Sequence, residues 1–240
     1  MALPKINTPF YELTLPSSGE TVKYRPFLVK EEKILLMAME GGKQKEISNA
    51  LRQIITNCTD GAVQVDKIPM FDVEYIFLQL RIKSVEDVAN VNLKCGKCGA
   101  GEVAAKIDLT KVQVEFTEEK QEFKVQLTSD IGLTLKYPTL DMVGTDEDLE
   151  TAEQMFDLIC RCVESIYDEE QVYNDFSQKE VNEFLEELPQ EHFKKISTFF
   201  ENMPKLKHTV KFTCPDCKKK NSYTLSGLQD FFESASLTTT

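Results

Sequence analysis

The residues best suited to chemistry are cysteines in two pairs, 94-KCGKCGAG-101 and 213-TCPDCKKK-220. Each pair is Cys-x-x-Cys, the spacing that lets two thiolates on one tight turn face a single ion. Together Cys95, Cys98, Cys214 and Cys217 supply the four ligands of a tetrahedral structural zinc site. Four thiolates fill every coordination position, so the pattern points to a structural Zn2+ and away from a catalytic one, which keeps a position open for water or substrate. Such a site is anionic, and Lys94, Lys97 and Lys218 to Lys220 stand beside it to offset the charge. Gly96 and Gly99 can adopt positive φ, which lets the first turn fold tightly, and Pro215 stiffens the second. The competing readings are two unrelated cysteine turns or a redox pair. A thioredoxin-like site shows one such motif in a βαβ context, and neither pair here leads into a helical pattern.

The elements that must bring the pairs together are strand-like. Residues 85-VEDVANVNLKC-95 and 102-EVAAKIDL-109 flank the first pair, and 207-KHTVKFTC-214 and 221-NSYTL-225 flank the second. The pairs are 115 residues apart, far beyond an ordinary zinc-ribbon loop. The chain is therefore expected to interrupt one ribbon with an insertion, because loop closure costs entropy only as the logarithm of length. The expected division is 1–84, an N-terminal hairpin plus helices; 85–110 and 206–226, two halves of a zinc-ribbon-like subdomain; 111–205, an inserted β-hairpin and helical region; and 227–240, a short helix and tail.

Within these parts, 10-FYELTLPSSGETVKYRPF-27 alternates about a cluster of turn formers and reads as a β-hairpin. Helices are expected over 29–40, ending at Gly41-Gly42, over about 43–58, and over about 70–83. Residues 122–138 read as another hairpin. Thr145 reads as the N-cap of a helix carrying Leu149, Ala152, Phe156, Ile159, Val163 and Ile166 at helical spacing. Ser177 with Glu180 has capping-box spacing, Pro189 opens a further helix to about Met203, and Leu228, Phe231 and Phe232 suggest a short tail helix. Strand runs and helix runs are segregated, so the fold class is α+β.

Composition limits function. The chain has 240 residues, 28 Lys and Arg against 40 Asp and Glu, and a formal net charge of −12. That balance disfavours general nucleic-acid binding, whose affinity comes from basic side chains releasing counterions. No apolar run reaches the roughly 18 residues of a membrane span, and 1-MALPKINTPFYEL-13 lacks the features of a signal peptide. A reduced cytoplasmic setting follows, in which cysteines are thiols or metal ligands. Cys58, Cys160 and Cys162 read as buried free thiols. Neither His192 nor His208 lies in a nucleophile motif, and the acidic runs 146-DEDLE-150, 168-DEE-170 and 183-EFLEE-187 read as solvated helix faces. No phosphate-binding glycine loop is present. The protein is expected not to be an enzyme.

The stretches 24-YRPFLVKEEKILLMAMEGG-42, 49-NALRQIITNC-58, 68-IPMFDVEYIFLQLRIKSVED-87 and 137-YPT-139 together resemble the baseplate hub assembly chaperone family of T4-like tailed phages. One departure stands at Glu86-Asp87, where the family continues Lys-Ser-Val with Gly-Glu. The resemblance spans roughly residues 10 to 140 and brings no catalytic residues. It implies an assembly or structural protein of the contractile-tail baseplate hub, binding hub or tail-tip proteins in the infected host cytoplasm or in the virion baseplate. The alternative expectation is a zinc-ribbon nucleic-acid-binding or transcription accessory protein, for which Lys218 to Lys220 are the best support.

Overall fold

In the computed structural model, residues 7–99, 102–116, 123–143 and 151–227 are described. The chain begins with a hairpin, β1 (Tyr11–Thr14) and β2 (Thr21–Tyr24), then three helices, α1 (Val29–Gly41), α2 (Gln44–Cys58) and α3 (Met70–Ser84). The first cysteine hairpin is β3 (Val88–Lys94) with β4 (Glu102–Asp108), followed by β5 (Gln113–Glu115). Next come β6 (Lys124–Gln126), β7 (Gly132–Leu135), α4 (Leu140–Val143), α5 (Ala152–Arg161), β8 (Val163–Tyr167) and β9 (Val172–Tyr173). Two helices, α6 (Gln178–Glu186) and α7 (Gln190–Glu201), lead to the second cysteine hairpin, β10 (Lys205–Thr213) and β11 (Lys220–Ser226). The expected mixed α+β class is observed, as small antiparallel sheets and segregated helices.

Three apolar clusters hold these elements. In the first, Leu13, Val22 and Tyr24 of the hairpin pack on Leu51, Ile54 and Ile55 of α2 and on Val73, Ile76, Phe77 and Leu80 of α3. In the second, Leu78 of α3 reaches Val91, Leu93, Ile107, Leu206 and Leu225 of the two cysteine hairpins. The third joins Leu127, Leu133 and Leu135 to Ile159, Val181, Leu185, Ile196 and Phe199. Helix α3 belongs to the first two clusters at once. Its sequence MFDVEYIFLQLRIKS is apolar on nearly every side, and a helix apolar all round is a buried one. Phe71 and Phe77 are buried and Tyr75 half-buried.

The residues that carry the family resemblance are those that fasten α3 and α1. The Met70 N–H donates to the Pro138 carbonyl at 2.9 Å, Thr139 bridges Pro69, and the Tyr137 ring meets Phe71 edge-on at 5.2 Å while stacking on Phe199 at 5.6 Å. The YPT stretch thus pins the start of α3 to the third cluster. Arg25 and Glu31 form a buried ion pair at 3.1 Å. The other Glu31 oxygen accepts from the Leu28 N–H at 2.9 Å, which satisfies one of the donors that every helix N-terminus leaves open. The Arg25 guanidinium also donates to the Pro26 carbonyl at 3.0 Å and lies 3.7 Å from the Cys58 sulfur, while the Arg25 N–H donates to the Cys58 carbonyl at 2.9 Å. One charged pair therefore ties β2, the start of α1 and the end of α2.

Three observations depart from the sequence reading. The described helix in the acidic middle is α5 alone, capped by Thr151 with Gln154 in a reciprocal capping box, while Thr145 lies outside the described residues. Val163 and Ile166 are in β8, not in a helix. A β-bulge is the reason: Leu133 pairs with Ile166 and Leu135 with Val163, so partners two apart on β7 face residues three apart on β8. The extra residue converts an inward period of two into a spacing that imitates one face of a helix. Lastly, β5 falls within 111–205 yet pairs with β10, giving the sheet order β11-β10-β5. The expected tail helix at Leu228, Phe231 and Phe232 lies outside the described residues.

Candidate metal centre

Both cysteine pairs sit at hairpin tips. β3 and β4 run in register from Val88 opposite Asp108 to Lys94 opposite Glu102, and β10 and β11 from Lys207 opposite Ser226 to Thr213 opposite Lys220. The buried Val91, Leu93, Leu206 and Leu225 lie in one apolar cluster under the two hairpins, so the same packing that forms the core sets tip against tip.

At the tips the four sulfurs of Cys95, Cys98, Cys214 and Cys217 lie within 4.8 Å of one another. The Cys95 and Cys217 sulfurs are 3.7 Å apart, and those of Cys98 and Cys214 are 3.6 Å apart. A zinc–sulfur distance of about 2.3 Å in a tetrahedron requires sulfurs about 3.8 Å apart. The donor set and the spacing fit one thiolate-bound ion. Among the described residues, these four are the one group of three or more ligating side chains close enough to share an ion.

The two turns are built alike. The Gly99 N–H returns to the Cys95 carbonyl at 3.0 Å, and the Lys218 N–H returns to the Cys214 carbonyl at 3.1 Å. The residue after the second cysteine takes the left-handed conformation in both, Gly99 at φ 62° and Lys218 at φ 56°. Of the two glycines able to take positive φ, Gly99 uses it and Gly96 does not; the turn needs positive φ at its last position only. A side chain in that conformation costs roughly 1–2 kcal/mol. Lys218→Gly is accordingly expected to raise stability by about 0.5–1 kcal/mol and Gly99→Ala to lower it by about 1 kcal/mol. Denaturant unfolding of the metal-loaded protein checks both signs.

Electrostatics separate Cys95 from the three thiols outside the cluster. The Cys95 thiol is drawn down to about 6, first by the backbone N–H groups of Cys98 and Lys97 aimed at its sulfur. The Asn221 amide stands 3.5 Å from the same sulfur and anchors on the Lys219 carbonyl at 3.0 Å, the kind of outer partner that orients a metal ligand. A lowered thiol is the form that binds metals. Burial instead pushes Cys58 up to about 11 and Cys160 and Cys162 up to about 12, which leaves them as inert protonated thiols within the core. Asn221 is the outer residue that sequence reasoning missed. Its position one residue beyond the Lys run carried no periodic signal.

The remaining candidates do not converge. His192 is partly buried beside the Glu191 carboxylate at 3.4 Å, and His208 sits in β10 opposite Leu225. Asp168 spends its carboxylate on a turn, accepting from the Glu170 and Gln171 N–H groups at 2.8 and 2.9 Å and from the Tyr173 hydroxyl at 2.9 Å. Glu183, Glu186 and Glu187 are exposed on or beside α6, and 146-DEDLE-150 lies outside the described residues. No described helix is long and apolar enough to cross a membrane.

The chain matches the family model described as T4 bacteriophage base plate protein over residues 8–233, nearly its whole length, and belongs to that family. It is a phage base plate protein. Neither a curated protein nor a solved structure matches it.

Proposed function

We propose that this base plate protein serves assembly of the tail hub, as a chaperone or structural hub component, by stoichiometric binding to hub or tail-tip proteins in the infected host cytoplasm and without catalytic turnover. A structural Zn2+ held by Cys95, Cys98, Cys214 and Cys217 staples the two hairpins into a ribbon and so fixes the ends of the intervening segment. The observation that supports a structural role for the metal is the set of four sulfurs within 4.8 Å of one another, two pairs of them 3.7 and 3.6 Å apart, since four thiolates leave no position for water or substrate. The family match carries the setting.

A pull-down of tagged protein from phage-infected cells, read by mass spectrometry, tests the partner. Hub or tail-tip subunits in fixed stoichiometry are the expected result, and recovery of the chain with none of them contradicts it. One observation favours a second reading, a nucleic-acid-binding ribbon: residues 85–111 and 205–226 hold ten Lys against five Asp and Glu in a chain that is acidic overall. Neither segment contains Arg, the side chain whose planar fork reads guanine and clasps phosphate bidentately. A mobility shift that weakens steeply with salt would establish this rival, and none at low salt removes it.

A further inference from the structure

Solvent reaches the four sulfurs of the metal centre unequally. Cys98 is exposed and Cys217 half-buried, while Cys95 and Cys214 are buried. Each accessible sulfur faces a buried one across the gap between the hairpins: Cys98 lies 3.6 Å from Cys214, and Cys217 lies 3.7 Å from Cys95. These partners are 116 and 122 residues apart in sequence. They meet because Val91 and Leu93 beneath one tip share a core with Leu206 and Leu225 beneath the other. Cys58, Cys160 and Cys162 take no part. All three are buried, and the burial that pushes them up to about 11, 12 and 12 keeps them as unreactive protonated thiols.

An accessible sulfur with a second one in reach is the arrangement by which cysteines respond to oxidants. We infer that the metal centre is a redox switch, in which a hydroperoxide replaces the metal clasp by two disulfides across the hairpins, Cys98–Cys214 and Cys95–Cys217. The inference rests on the structural Zn2+ proposed above and concerns the regulation of that same site. The Cys98 thiolate attacks one peroxide oxygen, the O–O bond breaks, hydroxide leaves, and Cys98 becomes a sulfenic acid. The Cys214 thiolate then attacks the Cys98 sulfur, forming the S–S bond and expelling a second hydroxide. Two thiolates are oxidised by two electrons in all, and one peroxide is reduced to two hydroxides. A second peroxide joins Cys217 to Cys95 in the same way. A sulfur in a disulfide has lost the thiolate charge that holds the ion, so Zn2+ is released. Reduction by a dithiol returns four thiolates and readmits it.

The pairing decides the consequence. Disulfides within each Cys-x-x-Cys turn would leave the hairpins unlinked once the ion had gone. Bonds between the turns close the same long loop covalently, which restricts the unfolded chain as the metal did. The two halves of the ribbon thus stay joined through the ion in a reducing compartment and through sulfur in an oxidising one. Every zinc measurement on this chain is accordingly made on protein kept reduced.

Hydrogen peroxide titrated into the reduced full-length protein tests the switch, read by zinc release, by the free-thiol count in denaturant and by a tryptic map without reductant. Zinc is expected to leave as free thiols fall from seven to three. Trypsin cuts after Lys97, so Cys95 and Cys98 fall on separate peptides, while Cys214 and Cys217 share the peptide 212–218. The expected map joins that shared peptide to both of the others. Fragmentation between its two cysteines is expected to assign Cys214 to Cys98 and Cys217 to Cys95. At low peroxide the bond to Cys98 is expected first, and dithiothreitol with zinc is expected to restore seven thiols and the bound ion. A bond between Cys95 and Cys98 overturns the inference. So does sulfinic or sulfonic acid at Cys98 without a disulfide, a disulfide to Cys58, Cys160 or Cys162, or zinc retained under excess peroxide. Zinc content before oxidant is added reports on the metal itself and the disulfide map on the switch, so the two can fail separately.

Discussion

Substituting Cys214 by Ser is expected to remove the bound metal and unfold the ribbon, and Cys95→Ser is expected to do the same although it lies more than a hundred residues away. Structural zinc contributes its binding free energy to folding, on the order of 10 kcal/mol in small zinc domains. That figure exceeds the whole stability of a typical domain, roughly 5–15 kcal/mol, at its lower end. The effect should spread unevenly. Leu78 of α3 packs on the hairpins, so the second cluster loses its order first, while the first cluster keeps its own contacts through Leu51, Ile54, Ile76 and Phe77. Hydrogen exchange resolves the difference: protection lost in β3, β4, β10 and β11 and retained in α2 is the expected pattern. Cys58→Ser serves as the control, since that thiol is buried in the first cluster and stands apart from the sulfur cluster.

The second large effect is expected at the Arg25–Glu31 pair. Arg25 has 11% of its side chain exposed and Glu31 none. Removing one partner of such a pair strands a buried charge and costs about 3–5 kcal/mol. Arg25→Leu should therefore cost more than Glu31→Gln, which keeps a hydrogen-bonding group for Leu28 and leaves a cation that is partly solvated. Burial alone would push the Glu31 carboxyl up, but the Arg25 guanidinium, the Leu28 N–H and Lys30 outweigh it and hold the group below its ordinary range. A depressed carboxyl contributes stability that is present above its unfolded value of about 4.3 and is lost as pH falls through the folded value. Wild-type protein should thus lose stability below about pH 4.3, and in Glu31→Gln that part of the acid dependence should be missing. Urea unfolding midpoints across the acid range check the sign.

Much of this architecture was legible in the residues because local and long-range signals agreed. Gly41-Gly42 ended α1, with Gly42 at φ 67°. Ser177 and Glu180 opened α6 with a reciprocal capping box, as their spacing predicts. The four cysteines were legible by their chemistry, as two Cys-x-x-Cys pairs whose sulfurs lie within 4.8 Å of one another. What escaped had specific physical causes. The bulge between β7 and β8 gave Val163 and Ile166 a helix-like spacing. β5 and β9 span three and two residues, too short to show alternation, and owe their conformation to the neighbouring strands β10 and β8. The buried ion pair was hidden in a stretch of charges, KEEK, whose members look alike until packing selects Glu31. Lys218 in the left-handed region was unreadable, because its composition favours any exposed conformation and only the turn demands this one.

The Arg25 and Tyr137 contacts also give the family resemblance a physical content. The RPF, NC, FD and YPT residues are where the first cluster is fastened and where α3 is joined to the rest. Their roles are in the scaffold.

X-ray absorption at the zinc edge of the purified full-length protein puts the clasp of two distant turns to its most direct trial. The account predicts about one zinc per chain in a shell of four sulfurs at about 2.3 Å. Protein that is folded and free of zinc, or a shell in which nitrogen or oxygen replaces any of the sulfurs, would contradict it.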